Sequence, residues 1–166
     1  VVTYVLRRAG VKVTVLDHDP DLGPDIVGSV TNIPLEPKAV DVALCCQVLE
    51  HLPYKAFTVA LKELRRVTRK QIILSLPDVG RVWFLNAKLP FIGIVSALFE
   101  PGQRRMARHV FNGEHYWEIG TYGRSKDDII RDIERTGLSI LRTYRIRENT
   151  YHRMVILTNT ALNGEK

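Results

Sequence analysis

An α/β fold built on a mostly parallel sheet, with an antiparallel hairpin at the carboxyl end, is predicted by three features of the sequence. The first is Val40-Asp41-Val42-Ala43-Leu44-Cys45-Cys46, an apolar run with β-branched residues that reads as a buried strand. It turns polar at Gln47 and leads into a helical pattern near Tyr54. A turn in that position lies at the carboxyl edge of a sheet, where open α/β sheets bind their ligands. The second feature is the alternation of helix-period and strand-period segments along the chain. The third is a pair of strand-like runs, 139–147 and 151–159, joined by Glu148-Asn149-Thr150. So short a link makes them an antiparallel hairpin.

The 166 residues fit one domain, 1–166, and 45% hydrophobic with 25% charged residues suffices for an ordinary core. A net charge of +6 allows an RNA partner or an anionic membrane surface, but no RNA-binding motif is present, which disfavours nucleic acid. Cys45 and Cys46 are neighbours on a strand and point to opposite faces, so they are poorly placed for a disulfide. A reducing, cytoplasmic setting without a signal peptide fits them.

Val1, Val2, Val5, Leu6 and Ala9 share one helical face, and Gly10 ends that helix. Val11–Leu16 reads as a strand closed by Asp17-His18-Asp19-Pro20, and 25–28 as a brief second one. Ser29 to Lys38 is loop, marked by Pro34 and Pro37. Over Tyr54–Arg69 the residues Phe57, Ala60, Leu61, Leu64 and Val67 recur at helical spacing. Basic residues crowd the end of that helix, where they favour its negative terminus. Gln71–Leu76 is a strand closed by Pro77-Asp78.

Residues 79–113 break the rhythm with Val82-Trp83-Phe84-Leu85, the apolar stretch 89–99, and the basic group Arg104, Arg105, Arg108 and His109. A connection this long is usually functional. Pro90 and Gly93 break the apolar run, which is too short to span a bilayer. It fits a lid over a substrate, a membrane-surface helix, a dimer interface, or an inserted helical pair on the core. Ser125-Lys126-Asp127-Asp128 is a capping box that opens a helix ending at Gly137.

Three stretches together carry a resemblance: Val15–Pro20, Gly28–Leu35, and Asp41–Pro53 with its Val48-Leu49-Glu50-His51-Leu52 core; Gly113-Glu114-His115-Tyr116 adds to them. In order and spacing they resemble class I S-adenosylmethionine-dependent methyltransferases, of the broad group labelled methyltransferase type 11. The resemblance implies a Rossmann-like sheet and S-adenosylmethionine as cofactor. It also implies methyl transfer to an acceptor that the sequence does not identify. Asp17, with His18 beside it, then holds the ribose; a carboxylate at a strand's end can accept from both hydroxyls of a cis-diol. Ser29 stands where the family often has an adenine-binding aspartate, and a serine accepts without charge or reach. Backbone groups of Val30 and Thr31 share that contact. Cys46 and Gln47 lie beside the methionine part, His51 at the cofactor edge, and His115 and Tyr116 on the substrate side. Neither cysteine has an activating base in sequence.

Residue 1 is already helical, so the family's first strand and its glycine-rich loop are missing from this chain, which reads as an amino-terminally incomplete domain. Loss of a central strand would expose sheet edges and invite dimerisation. Two rivals to the enzyme therefore remain. One is a non-catalytic scaffold or dimerisation module; the other, a nicotinamide-dependent dehydrogenase, is disfavoured by the Asp41–Pro53 pattern. For the acceptor, the apolar segment 82–99 favours a small lipid-like molecule or a membrane surface, and the arginines favour an anion. None of the five histidines has metal-ligand spacing, so no metal is expected.

Overall fold

A computed structural model describes residues 2–159 apart from 92, 102–105 and 112. Val1, Arg104 and Arg105 therefore lie outside the described residues. Helix α1 (Val2–Arg8) comes first, followed by strands β1 (Leu16–Asp17), β2 (Ile26–Val27) and β3 (Val40–Cys46). Next come α2 (Phe57–Val67), β4 (Thr68–Pro77), β5 (Trp83–Leu89) and β6 (Gly93–Phe99). The chain then forms α3 (Lys126–Glu134), β7 (Ser139–Arg145) and β8 (His152–Thr158).

The main sheet has the order β3-β4-β8-β7. β3 and β4 are parallel, whereas β8 runs antiparallel to both its neighbours. Three of the four strands thus point one way, and the terminal hairpin folds back as its turn requires. β1 and β2 form a parallel ladder of their own.

The predicted strand Val11–Leu16 shrinks to Leu16–Asp17, because a strand persists only where a neighbour takes its backbone groups. β2 offers two residues of partner, and Val15 turns instead to Asp25, whose Oδ2 accepts its N–H at 2.7 Å. The apolar face of α1 is likewise not buried: Val2 and Val5 are exposed.

The core gathers on one face of the main sheet. Phe57, Ala60, Leu61, Leu64 and Val67 of α2 meet Ile72, Leu74 and Leu76 of β4, with Ile129 and Ile133 of α3 and Leu157 of β8. The capping box that opens α3 forms as predicted, with Ser125 Oγ accepting the Asp128 N–H at 3.1 Å. Trp117 enters this core from the long connection, edge-on to Phe57 and Tyr54.

Residues 83–89 and 93–99 are strands, not helices. They form an antiparallel hairpin in which Trp83 pairs with Phe99 and Leu89 with Gly93. Pro90 cannot continue a helix, and the turn needs Phe91 and Gly93 at φ 68° and 90°. Trp83, Leu85, Phe91, Ile94 and Phe99 are exposed on it. A buried ion network secures its base. Arg145 Nη2 and Arg153 Nε each lie 2.6 Å from Asp78, and Glu100 contacts both arginines.

Candidate functional site

The turns that follow β1, β2 and β3 carry most of the polar groups singled out by the sequence. Asp17 ends β1, half-buried, and its Oδ1 accepts the Asp19 N–H at 3.0 Å. His18 is exposed, with Nδ1 3.2 Å from the same oxygen. The β1–β2 ladder sets Asp17 beside Gly28, whose N–H donates to the Asp17 carbonyl at 2.8 Å. A side chain at Gly28 would meet Pro34 Cδ at 3.0 Å, so the turn packs closely there. Ser29 and Thr31 share a hydroxyl–hydroxyl hydrogen bond of 2.8 Å, and Ser29 Oγ also accepts the Thr31 N–H. Val30 packs against the core. Local turn chemistry thus occupies the Ser29 hydroxyl.

At the end of β3 the backbone reverses on Gln47, a non-glycine residue at φ 55°. Such a conformation persists only where the surroundings hold it. Here Ser75 of β4 does so, its hydroxyl accepting from Gln47 Nε2 at 2.8 Å and its carbonyl from the backbone N–H at 3.3 Å. Cys46 is exposed and Cys45 buried. Burial pushes both thiols up, that of Cys45 to about 12, so neither is an activated nucleophile. No hydrogen bond between described residues joins this turn to the Asp17–Thr31 side.

The next turn, Leu49–His51, is a short 3-10 helix onto which the segment after the hairpin is fastened. The Tyr116 N–H donates to the Glu50 carbonyl at 2.8 Å, and Trp117 Nε1 to the Leu49 carbonyl at 3.2 Å. The Glu114 carbonyl accepts from His51 Nδ1 at 3.0 Å. This clamp brings the ring of His115 edge-on to that of His51, with centroids 5.0 Å apart. His115 is itself buried, with Nδ1 2.9 Å from Glu118 Oε1, and Tyr151 donates to the same carboxylate oxygen at 2.5 Å. Burial raises Glu118, but the bonds from His115 and Tyr151 outweigh it and hold the carboxyl below its usual range. His109 Nε2 donates to the His115 carbonyl at 2.8 Å. Tyr116 is exposed, its ring against that of Phe111.

Residues 2–76 match the family model for a methyltransferase domain. Among solved structures, a glycopeptide N-methyltransferase crystallised with S-adenosylhomocysteine is similar over 94% of this chain and 77% of its own, with 11% identity and a TM-score of 0.58. The 1,6-didemethyltoxoflavin-N1-methyltransferase of Burkholderia thailandensis, with bound 1,6-didemethyltoxoflavin and S-adenosylhomocysteine, is similar over 94% and 64%, with 14% identity and a TM-score of 0.58. An S-adenosylmethionine-dependent methyltransferase of Methanosarcina mazei is similar over 94% and 85%, with 13% identity and a TM-score of 0.58. No curated protein sequence matches the chain.

The chain has the class I methyltransferase fold.

On that fold the structure groups the sequence-derived residues in two sets: Asp17, His18, Ser29, Val30 and Thr31 on the β1–β2 side, and Cys46, Gln47, His51, His115 and Tyr116 on the β3 side. Sequence reasoning passed over Glu50, whose side chain is 0% exposed and whose carboxylate oxygens have no hydrogen-bond partner among the described residues. Burial pushes its carboxyl up. Glu118, Tyr151 and His109 were passed over too. The one sequence signal for Glu50 is its place beside His51, immediately after a buried strand. Among the described residues no helix is long and apolar enough to cross a membrane.

Proposed function

We propose that this chain binds S-adenosylmethionine at the carboxyl ends of β1–β3 and serves methyl transfer to a small, hydrophobic acceptor. The observation that carries the reading is the position of Asp17. Its carboxylate ends β1 with Oδ2 unbonded among the described residues, beside the turn at Gly28, whose missing side chain lets Pro34 pack closely against the backbone. Asp17 would take the ribose hydroxyls, with His18 at their rim. The backbone of Val30 and Thr31 would meet the adenine, while Ser29 stays engaged with Thr31. Cys46 and Gln47 would line the methionine end, and Ser75 keeps Gln47 in place. The cofactor, when bound, supplies the electrophilic methyl; the chain's part is to align acceptor and cofactor and to keep water out.

The acceptor class is supported by the hairpin β5–β6, which presents Trp83, Leu85 and Phe99 to solvent, and by Tyr116 and Phe111 near the β3 turn. The free thiols of Cys45 and Cys46 support a reducing, cytoplasmic setting. Calorimetric titration of S-adenosylhomocysteine into the chain tests the cofactor. Saturable binding, weakened at least about tenfold by Asp17→Ala, is expected from loss of charge-assisted hydrogen bonds. A folded chain that takes up no S-adenosylhomocysteine sinks the proposal.

A second reading, a non-catalytic dimerisation module, draws on the same exposed hairpin and on Val42 and Leu44 exposed along β3. A monomer by light scattering across the micromolar range counts against it.

A further inference from the structure

We propose that Glu50, His51 and His115 form a binding site for one divalent transition-metal ion, a two-histidine, one-carboxylate set at the turn after β3. Their donor atoms all lie within 4.8 Å of one another. Sequence spacing did not suggest this, because His115 arrives from beyond the β5–β6 hairpin and is seated by the Glu114, Tyr116 and Trp117 bonds to the turn.

Three observations point to a cation. The first is the tautomer of the His51 imidazole. The Glu114 carbonyl can only accept, so His51 Nδ1 carries the proton and Nε2 presents its lone pair. His115 is fixed in place by its own Nδ1 contact with the Glu118 carboxylate. A histidine that donates one ring N–H to a carbonyl or carboxylate while offering the other nitrogen is the usual form of a metal-binding imidazole.

The second observation is the orphaned carboxylate of Glu50. It is fully buried, and among the described residues it has neither a hydrogen-bond partner nor an ion pair with Lys or Arg. A buried carboxylate left in that state has lost its hydration without compensation from the protein. A divalent cation bound by Glu50 offsets that loss at its source. The third is access: His51 is exposed, so an ion can enter from solvent and keep coordination positions open on that side.

Imidazole nitrogens with one carboxylate suit zinc or another late first-row ion and not magnesium or calcium, which take oxygen donors. Neighbouring ligands on a tetrahedral zinc stand about 3.4 Å apart at bonds of about 2.05 Å, so binding draws the trio inward from its present spread. Such an ion could orient an acceptor oxygen and ease its deprotonation. The binding itself stands apart from the methyl-transfer reading.

The test is zinc titration of the tag-free, metal-stripped chain against a chromophoric chelator, with cobalt(II) absorption as a second readout. One zinc per chain is expected, together with the intense visible bands of a low-symmetry cobalt site. His51→Ala, His115→Ala and Glu50→Gln should each weaken zinc binding by at least about tenfold, the lower end of the losses seen when even outer partners of a metal site are changed. His18→Ala, in the β1 turn, should leave binding unchanged. Circular dichroism reports folding of each variant; if Glu50→Gln does not fold, exposed His51→Ala still decides. Absence of stoichiometric zinc binding overturns the proposal. So does zinc that His51→Ala leaves untouched, or that His18→Ala abolishes.

Discussion

Arg145 Nη2 and Asp78 Oδ1 lie 2.6 Å apart with each side chain only 3% exposed, which makes them the centre of a buried ion pair between β7 and the end of β4. Arg145 also donates to the carbonyls of Asp78 and Gly80, so one guanidinium ties the main sheet to the chain that leaves it toward the hairpin. Removing one partner strands the other. Asp78→Asn should therefore destabilise the fold by about 3–5 kcal/mol, as breaking a buried pair does. Urea unfolding by circular dichroism measures this, and a loss under about 1 kcal/mol, the level of an exposed pair, would contradict the burial.

Gln47 offers a second quantity. Its left-handed backbone costs about 1–2 kcal/mol relative to glycine, and its amide recovers part of that through Ser75. Gln47→Ala keeps the cost and loses the bond, so it should destabilise by roughly 1 kcal/mol. Gln47→Gly loses the bond and also the cost, and should be at least as stable as the alanine variant. Chemical denaturation of the two side by side checks the order; an alanine variant more stable than the glycine one would contradict the strain.

The thiols should separate cleanly. Cys46 is exposed and Cys45 buried, and Cys45 is pushed up to about 12 by burial first and then by its acidic neighbours Cys46 and Glu50. Maleimide at neutral pH should add one label to the native chain, and a second only in denaturant. Mass spectrometry of the native adduct should place the label on Cys46, slowly, since burial raises that thiol as well.

The cap of α3 carries a pH dependence. The Ser125 hydroxyl and backbone N–H hold the Asp128 carboxyl below its ordinary value, against a smaller opposing effect of burial. A carboxylate lowered on folding stabilises above its unfolded value, about pH 3.9, and that gain fades as pH falls through the folded value. The stability advantage of the native chain over Asp128→Asn should thus be full at pH 6 and vanish toward pH 2. Ser125→Ala, which removes the cap oxygen itself, should cost about 1 kcal/mol at neutral pH. Thermal melts across that range read both effects.

Much of this molecule was legible in local pattern. The run 40–46, the helical spacing from Phe57 to Val67, the Ser125–Asp128 cap and the terminal hairpin are determined by side-chain period and turn chemistry within a few residues, and the structure keeps them. Two readings were corrected. Pro90 and Gly93 marked a break in 82–99, but whether strands or helices flank such a break depends on cross-strand pairs such as Trp83 with Phe99. β1 is shorter than its apolar pattern because strand length is set by partners, which local sequence does not contain.

The same division holds for the site. Asp17, Gln47 and His51 could be assigned from their place after strands, because the carboxyl edge of an α/β sheet is a topological fact that the alternation of elements already implies. The company of Glu50 could not. Its buried carboxylate faces histidines because Trp117 fills the core and the Tyr116 N–H bonds the Glu50 carbonyl, docking a segment from the far side of the hairpin onto the turn. The sequence by itself determined which elements form and which strand ends carry polar groups. Only the tertiary structure decided which of those groups come together and which of them are buried, since burial and distance arise from packing between residues remote in the chain.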